Sequence, residues 1–210
     1  VGKIDEVRIL DSALTLEEIK EDYHAQAPYP ARSGTVAWYH MDEGTGTTIA
    51  DSSGNGNTGT IYGATWTTGV GGGDAPPAGD SYALSFDGSD DYVVVADSAS
   101  LGGLSGLTIE AWVYPGTGIA DGDIIVNKED EYEIAWGTGG KLKTAVRTNT
   151  NGWFWTTGTG SDTLPIGQWT HVVATWDGTN IREYINGELK QTTSQSGATT
   201  NDAGNPLRIG

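Results

Sequence analysis

The densest group of side chains that could support catalysis is an acidic run. Residues 129–133 are Glu-Asp-Glu-Tyr-Glu, and in a β-strand Glu129, Glu131 and Glu133 would share one face. Retaining glycoside hydrolysis needs two carboxyl groups about 5–5.5 Å apart, so this spacing is compatible with it. The alternative is a charged, solvated turn between two strands. We favour the turn, because the run follows a strand-like segment directly.

The three histidines do not supply a second catalytic group. His24 adjoins a proline-containing segment, while His40 and His171 alternate within strand patterns, which is typical of residues in a sheet wall. No glycine-rich loop with a phosphate-binding pattern precedes a helix. We therefore predict that the protein is not an enzyme.

Oxygen ligands suited to a hard cation are concentrated in one region. Asp42 and Glu43 end a predicted strand, and residues 51–57 (Asp-Ser-Ser-Gly-Asn-Gly-Asn) form the adjoining loop. Calcium requires several carboxylate, amide and carbonyl oxygens. The loop lacks the terminal glutamate of an EF-hand, and its side chains could instead cap their own backbone as Asx turns. The candidate calcium ligands here are Asp42, Glu43, Asp51, Asn55 and Asn57.

Aromatic residues offer a second kind of site. In a strand, Trp153 and Trp155 share one face and Phe154 takes the other. If Phe154 points to the core, two indoles lie exposed side by side, where the apolar face of a sugar can stack. The opposite orientation would bury both. Tyr132 and Trp136 could line the same sheet, whereas four other tryptophans are predicted to be core residues: Trp38, Trp112, Trp169 and Trp176.

The composition limits the class of partner. The 210 residues carry a formal net charge of −17, which disfavours nucleic acid, because binding to phosphates depends on Lys and Arg. No apolar run approaches the ~20 residues of a membrane helix, so we expect no membrane insertion. There are no cysteines, which excludes a disulfide scaffold. Since the chain opens at Val1 without a signal peptide, we expect a piece of a longer secreted or cell-surface protein.

The periodicity predicts an all-β fold with one short helix. Residues 12–23 form the predicted helix, with Thr15 as N-cap and Glu18 completing a capping box. A proline-containing linker at 25–34 follows, and residues 69–80 are predicted to be a surface loop. From Thr35 onward, alternating strands are separated by turns such as Asn186-Gly187. So many antiparallel strands predict a two-sheet antiparallel β-sandwich.

Four blocks resemble laminin-G-like, concanavalin A-like domains of secreted proteins. Residues 169–178 (Trp-Thr-His-Val-Val-Ala-Thr-Trp-Asp-Gly), followed by the Tyr-Ile-Asn-Gly hairpin at 184–187, resemble a strand and hairpin of that family. Residues 38–57, 84–93 and 107–113 resemble its earlier strands, in the family's order. The resemblance covers 34–210 and implies a jelly-roll sandwich. In glucanases of this fold the acidic motif has a central Asp, whereas residue 131 is Glu.

One block stands at the wrong end of the chain. Residues 2–19, beginning Gly-Lys-Ile-Asp-Glu-Val-Arg-Ile, resemble the closing strand of such a domain, yet they precede the linker. We interpret 1–24 as the closing strand and helix of a preceding copy, or as a strand donated to a neighbour, and 35–210 as a sandwich lacking its own last strand. The predicted assembly residues are Ile4, Val7, Ile9 and Leu10. The family's neighbouring opening and closing strands would also bring Asp5 to the calcium rim.

The resemblance implies a non-catalytic extracellular module for adhesion or carbohydrate binding, with a glycan or a surface protein as ligand and calcium as a possible cofactor. The alternative is a structural repeat or filament subunit that exchanges strands with neighbouring copies. The fold alone does not distinguish the two.

Overall fold

The computed structural model describes residues 2–25, 30–68, 82–158, 162–201 and 204–210. Within these ranges the chain forms one helix and sixteen strands. In chain order they are β1 (Gly2–Leu10), α1 (Leu16–His24), β2 (Thr35–Tyr39), β3 (Thr48–Ile49), β4 (Gly59–Tyr62), β5 (Thr65–Thr68), β6 (Tyr82–Phe86), β7 (Tyr92–Val95), β8 (Leu107–Pro115), β9 (Ile124–Lys128), β10 (Tyr132–Gly137), β11 (Lys141–Thr148), β12 (Gly152–Trp155), β13 (Thr170–Trp176), β14 (Asn180–Ile185), β15 (Glu188–Ser194) and β16 (Leu207–Ile209).

The strands form two eight-stranded antiparallel sheets that face each other across one core. Sheet A has the order β15-β14-β13-β8-β1-β6-β5, with β2 also paired to β1. Sheet B has the order β12-β11-β10-β9-β16-β7-β4-β3. The prediction of an all-β, concanavalin A-like sandwich with one short helix is confirmed. The predicted loop at 69–80 and part of the predicted linker lie outside the described residues.

Alternation along each strand decides which side chains form the core. On β8, Ile109, Ala111 and Val113 point between the sheets and join the main core cluster. Glu110 and Trp112 take the opposite face of sheet A and are nevertheless buried. That face is covered in part by α1, whose Tyr23 ring stacks on the Trp112 ring at 5.9 Å. Sheet A is therefore buried on both sides along its central strands.

The turn residues follow the expected chemistry. Asn186 and Gly187 have φ of 50° and 76°, which is the left-handed backbone that a type I′ hairpin requires at both positions. Thr15 caps α1 by accepting a hydrogen bond from the Glu18 backbone N–H, and the Glu18 carboxylate accepts one from the Thr15 N–H at 2.8 Å. The predicted capping box is confirmed.

The first strand lies inside sheet A of its own chain. One edge of β1 pairs with β8 along most of its length. The other edge pairs with β6 through Gly2–Ile4 and with β2 through Val7–Leu10. Ile4, Val7 and Ile9 belong to the main core, and Leu10 packs in a second cluster beneath α1. Exchange of this strand between copies stays a prediction.

A buried ion network ties β1 and α1 to the sandwich. The Arg8 guanidinium contacts the Glu110 carboxylate on β8, the Asp22 carboxylate on α1 at 2.7 Å, and the Pro30 carbonyl at 3.0 Å. Arg32 donates to Asp22 at 2.8 Å and to the Glu18 carbonyl at 2.9 Å. The described part of the predicted linker is thus anchored on the helix. In the described part of the chain, no helix is long and apolar enough to cross a bilayer.

Candidate functional site

Glu129 and Glu133 of the acidic run at 129–133 both accept a hydrogen bond from Asn127 Nδ2, at 3.4 Å and 2.6 Å, whereas Glu131 pairs with Lys128. β9 ends at Lys128 and β10 begins at Tyr132, so the run crosses a hairpin turn in which Asp130 has φ of 63°. Glu131 is buried, with its oxygens 3.0 Å from Lys128 Nζ and 3.1 Å from the Gly103 N–H. The predicted charged, solvated turn fits Glu129, which is exposed. It does not fit Glu131, which is buried in an ion pair.

The predicted calcium loop is closed by its own hydrogen bonds. Both carboxylate oxygens of Asp51 accept bonds from chain donors, including the backbone N–H groups of Trp38 at 3.0 Å and Asn57 at 2.9 Å. The Asn57 amide donates to the Val36 carbonyl at 2.8 Å and accepts from Ser98 at 2.7 Å. Asn55 likewise donates to the Val36 carbonyl. This is the Asx-turn alternative, and these oxygens do not fit a cation as they stand.

The other predicted calcium ligands do not join this loop as a cluster. Asp5 pairs with Trp112 on β8 and accepts the Glu6 N–H at 2.9 Å, and Glu43 accepts the Ala50 N–H at 2.7 Å. Asp42 is exposed. Among the described residues, the group of three acids whose oxygens all lie within 4.8 Å of one another is Asp87, Asp90 and Asp91, in the β6–β7 turn. Calcium binding stays a prediction.

The four predicted sugar-contacting aromatics separate into two groups. Phe154 packs against the core, so Trp153 and Trp155 both lie on the outer face of sheet B. Their rings are 5.8 Å apart and nearly perpendicular, at 84°, and both are half-buried. Tyr132 and Trp136 are buried in the main core. Placing them on the binding face was wrong, because their strand turns the alternate residues, Glu133 and Ala135, outward.

A polar row crosses the outer face of sheet B beside the indole pair. Pairing registers place Trp155 opposite Ala145, Ala145 opposite Glu133, and Glu133 opposite Asn127. The small Ala145 side chain lies between Trp155 and Glu133 in this row and is fully buried. Asn127 Nδ2 donates to Glu133 Oε2 at 2.6 Å. The indoles therefore provide a stacking surface, while beside them Glu133 is 7% exposed and Asn127 only 1% exposed.

Two ion pairs flank this row. Lys143 Nζ lies 4.6 Å from the centre of the Trp155 ring and 2.7 Å from Asp121 Oδ1. The cation–π contact and the ion pair together orient the indole. Arg147, opposite Trp153, pairs with Asp130 at 3.2 Å. The cations near the indoles are therefore neutralised locally, which suits an uncharged ligand.

The carboxyl of Glu133 has an unusual ionisation. Burial raises its pKa to about 7, since desolvation outweighs the hydrogen bond from Asn127, and the charge of Glu129 adds to the rise. Near neutral pH a large fraction of Glu133 is therefore protonated and able to donate a hydrogen bond. A protonated carboxyl can act as donor or acceptor, which matches the hydroxyl groups of a sugar.

We expect Glu133→Gln to stabilise the fold at alkaline pH. The folded pKa of Glu133, about 7, exceeds its ordinary value of 4.5, so the native state retains the proton more strongly. Its stabilising contribution is complete below pH 4.5 and is lost as the pH rises to about 7. At pH 8 the variant should be more stable by roughly 1–2 kcal/mol after solvent screening. Urea unfolding at pH 5 and pH 8 measures this difference.

The matched control is Glu188→Gln, an exposed acid on β15. Its stability difference from the native chain should be the same at both pH values. A Glu133→Gln difference that does not change between pH 5 and pH 8 would contradict the assignment of a raised pKa to this carboxyl.

Two residues of this site, Asn127 and Lys143, were not predicted from the sequence, and Glu133 was given a different role. Glu133 was considered only as a catalytic acid, and neither Asn127 nor Lys143 was considered as part of a site. The available signal was the alternation of Val126-Asn127-Lys128 and Ile134-Glu133-Tyr132, which places Asn127 and Glu133 opposite the core-facing residues. Recognising the row also requires the β9–β10–β11 register, which the sequence alone does not specify.

The fold and this face define a lectin-like jelly-roll domain, with two antiparallel sheets and an aromatic and polar surface on one of them. The family model described as the concanavalin A-like lectin/glucanases superfamily, of the laminin-G type, matches residues 87–210. Since that is more than half of the chain, the chain belongs to this family. A comparison with curated proteins finds no match.

Solved structures with the same fold include binding domains of larger proteins. Domain 4 of an extracellular GH43 arabinanase from Geobacillus stearothermophilus, solved in complex with arabinotriose, matches with a TM-score of 0.60 and 19% identity, covering 83% of this chain and 82% of that one. The receptor-binding domain of botulinum neurotoxin C/D mosaic serotype matches with a TM-score of 0.60 and 14% identity, covering 80% of this chain and 41% of that one. At these identities the likeness concerns the fold.

Proposed function

We propose that this chain is a non-catalytic carbohydrate-binding module whose ligand lies on the outer face of sheet B, against Trp153 and Trp155. The single observation behind the proposal is the placement of two adjacent, half-buried indoles beside the Glu133–Asn127 pair. Aromatic rings offer an apolar stacking surface at low entropic cost, and Glu133, which is 7% exposed, offers one hydrogen-bonding carboxyl beside them.

The structural neighbours support this class of ligand. The arabinanase domain that covers most of this chain was solved with arabinotriose bound. A related botulinum neurotoxin DC binding domain, with a TM-score of 0.52, was solved in complex with SialylT. Both are binding parts of larger proteins, which is the role we propose here.

We propose a non-catalytic module because of the contacts that the acidic side chains make. Glu131 is held in an ion pair with Lys128, and Glu129 and Glu133 both accept from the Asn127 amide. Glu133 is only 7% exposed, so this second pair does not face an open cleft. A retaining or inverting pair would need two carboxyls facing one cleft at a defined separation. We propose a secreted or cell-surface setting, in which the negative net charge of −17 favours solubility, and adhesion through surface glycans as the biological use.

The alternative, a repeat or filament subunit built by strand exchange, has less support. β1 completes sheet A of its own chain, with Arg8 joining it to α1 and β8 through buried ion pairs. An exchanged strand would have to re-form that network with a second copy. Contacts with neighbouring copies or with a surface protein stay predictions.

The test is a glycan array followed by calorimetry on the strongest ligand. Trp155→Ala should weaken binding about 10- to 100-fold, because an anchoring aromatic at the centre of a contact is worth about 1.5–3 kcal/mol. Trp153→Ala should have an effect in the same direction, and Trp155→Phe should retain part of the affinity. Thermal unfolding of each variant verifies that the fold is intact.

The matched control is Trp66→Ala, which removes a half-buried indole from β5 in sheet A. Its affinity should equal that of the native chain. Native protein that binds no glycan on the array, or a Trp155→Ala variant with native affinity, would overturn the proposed function.

A further inference from the structure

A second aromatic surface lies far from the indole pair. Tyr62 on β4 and Tyr92 on β7 are directly opposite each other in the sheet register. Their rings are stacked, with centroids 5.1 Å apart and planes 24° apart. Tyr62 is 48% exposed, and Tyr92 is half-buried. This is the arrangement of a flat, solvent-facing aromatic platform.

The tyrosine pair and the indole pair are on the same face of sheet B. The neighbours Ile61 and Val93 point into the core, so alternation turns Tyr62 and Tyr92 outward, as it does Trp153 and Trp155. From β12 the strand order reaches β7 through β11, β10, β9 and β16. Five strand steps of about 4.8 Å separate the two aromatic pairs by roughly 24 Å.

The row between them includes exposed polar side chains on β16 and β4. From Asn127 the register continues to Arg208 on β16, then to Val94 on β7 and Thr60 on β4. Arg208 and Thr60 are exposed. A hydroxyl-rich chain can therefore hydrogen-bond to Arg208, between the two aromatic pairs, and to Thr60, two residues from Tyr62 on β4.

We propose that the ligand is an extended oligosaccharide lying across the strands of sheet B, with Tyr62 and Tyr92 forming a second stacking subsite at the far end from Trp155. This inference rests on the carbohydrate-binding function proposed above. It adds that affinity depends on chain length, since only a ligand that spans the polar row contacts both aromatic pairs.

A purely structural role for the tyrosines makes a different prediction. Stacked cross-strand rings also stabilise a sheet. In that case Tyr62→Ala would lower thermal stability but would not distinguish short ligands from long ones. The dependence on ligand length is the readout that separates the two roles.

The experiment uses an array on which each sugar polymer is printed both as its trisaccharide and as a chain long enough to cross the five strands. We expect Tyr62→Ala to weaken binding of the long chains about fivefold to tenfold and to leave the trisaccharides unchanged. Trp155→Ala should weaken both. Tyr62→Phe, which keeps the ring, should bind long chains as the native protein does.

The matched control is Tyr82→Ala on β6 of sheet A, a tyrosine with 37% exposure, which should leave both lengths unchanged. If Trp155→Ala weakens binding but Tyr62→Ala has native affinity for every long chain, the second subsite is overturned and the proposed function stands. If neither variant changes the binding of any printed glycan, or the native protein binds none, both proposals are overturned.

Discussion

Replacing Arg8 by Met should lower the free energy of unfolding by about 3–5 kcal/mol, because it breaks a buried charge network by removing one partner. The Arg8 and Glu110 side chains and the Asp22 side chain are all completely buried. Met fills a similar volume but removes the guanidinium from Glu110, which keeps only His171 beside it, at 3.4 Å, while Asp22 keeps Arg32. Most of the compensation for the desolvation of Glu110 is then lost, which is the costly case for buried ion pairs.

Urea unfolding followed by tryptophan fluorescence measures this loss. The matched control is Arg182→Met, which removes an arginine paired with Asp177 where both side chains are 30% exposed. Surface pairs contribute about 0–1 kcal/mol, so the control should change little. A loss below about 1 kcal/mol for Arg8→Met would contradict the role assigned to the network.

The Arg8 variant also bears on the placement of residues 1–24. Arg8 is the residue at which β1, α1 and β8 meet, and Arg32 contacts both carboxylate oxygens of Asp22. We expect hydrogen exchange in β1 and α1 to accelerate more than in sheet B when Arg8 is replaced, because local opening follows the weakened contacts.

Replacing Lys128 by Met should cost about 3 kcal/mol or more for the same physical reason. The buried Lys128 ammonium contacts Asp97 Oδ1 at 2.8 Å, Glu131 Oε1 at 3.0 Å and the Asn205 carbonyl at 2.8 Å. It joins the end of β9 to two loops. The hydrogen bond from Lys128 also lowers the pKa of Asp97. Without the lysine, buried Glu131 loses the ammonium group 3.0 Å from its carboxylate.

A double variant makes this test specific. Lys128→Met combined with Glu131→Gln should be more stable than Lys128→Met alone, because the double variant no longer buries the Glu131 charge without the Lys128 ammonium. Lys190→Met is the control, since Lys190 pairs with Asp162 and Glu188, which are 69% and 73% exposed. A double variant no more stable than the single one would show that the loss came from packing rather than from charge.

Much of the fold follows from local pattern. The helix with its Thr15 cap and the Asn186-Gly187 hairpin were predictable, because each depends on residues close together in the chain. The strands β3 (Thr48–Ile49) and β5 (Thr65–Thr68) were not predicted. Their short lengths carry too little alternation to separate them from loops.

The candidate site was harder to predict from the sequence than the fold. A period of two tells which residues share a face, and it does not tell which face is buried. For Trp153-Phe154-Trp155 both orientations were open, and the core takes Phe154. For Tyr132 and Trp136 the shared face was identified, but it is the buried one. Partners distant in sequence, such as Arg8 and Glu110, become visible only once β1 is placed beside β8.

The most direct test of the carbohydrate-binding face is an NMR titration of the tryptophan indole N–H signals with the strongest array oligosaccharide. The account predicts that the signals of Trp153 and Trp155 shift at saturation. The signals of Trp38 and Trp66, on sheet A, should stay in place. Shifts confined to Trp38 or Trp66, with Trp153 and Trp155 unchanged, would contradict it.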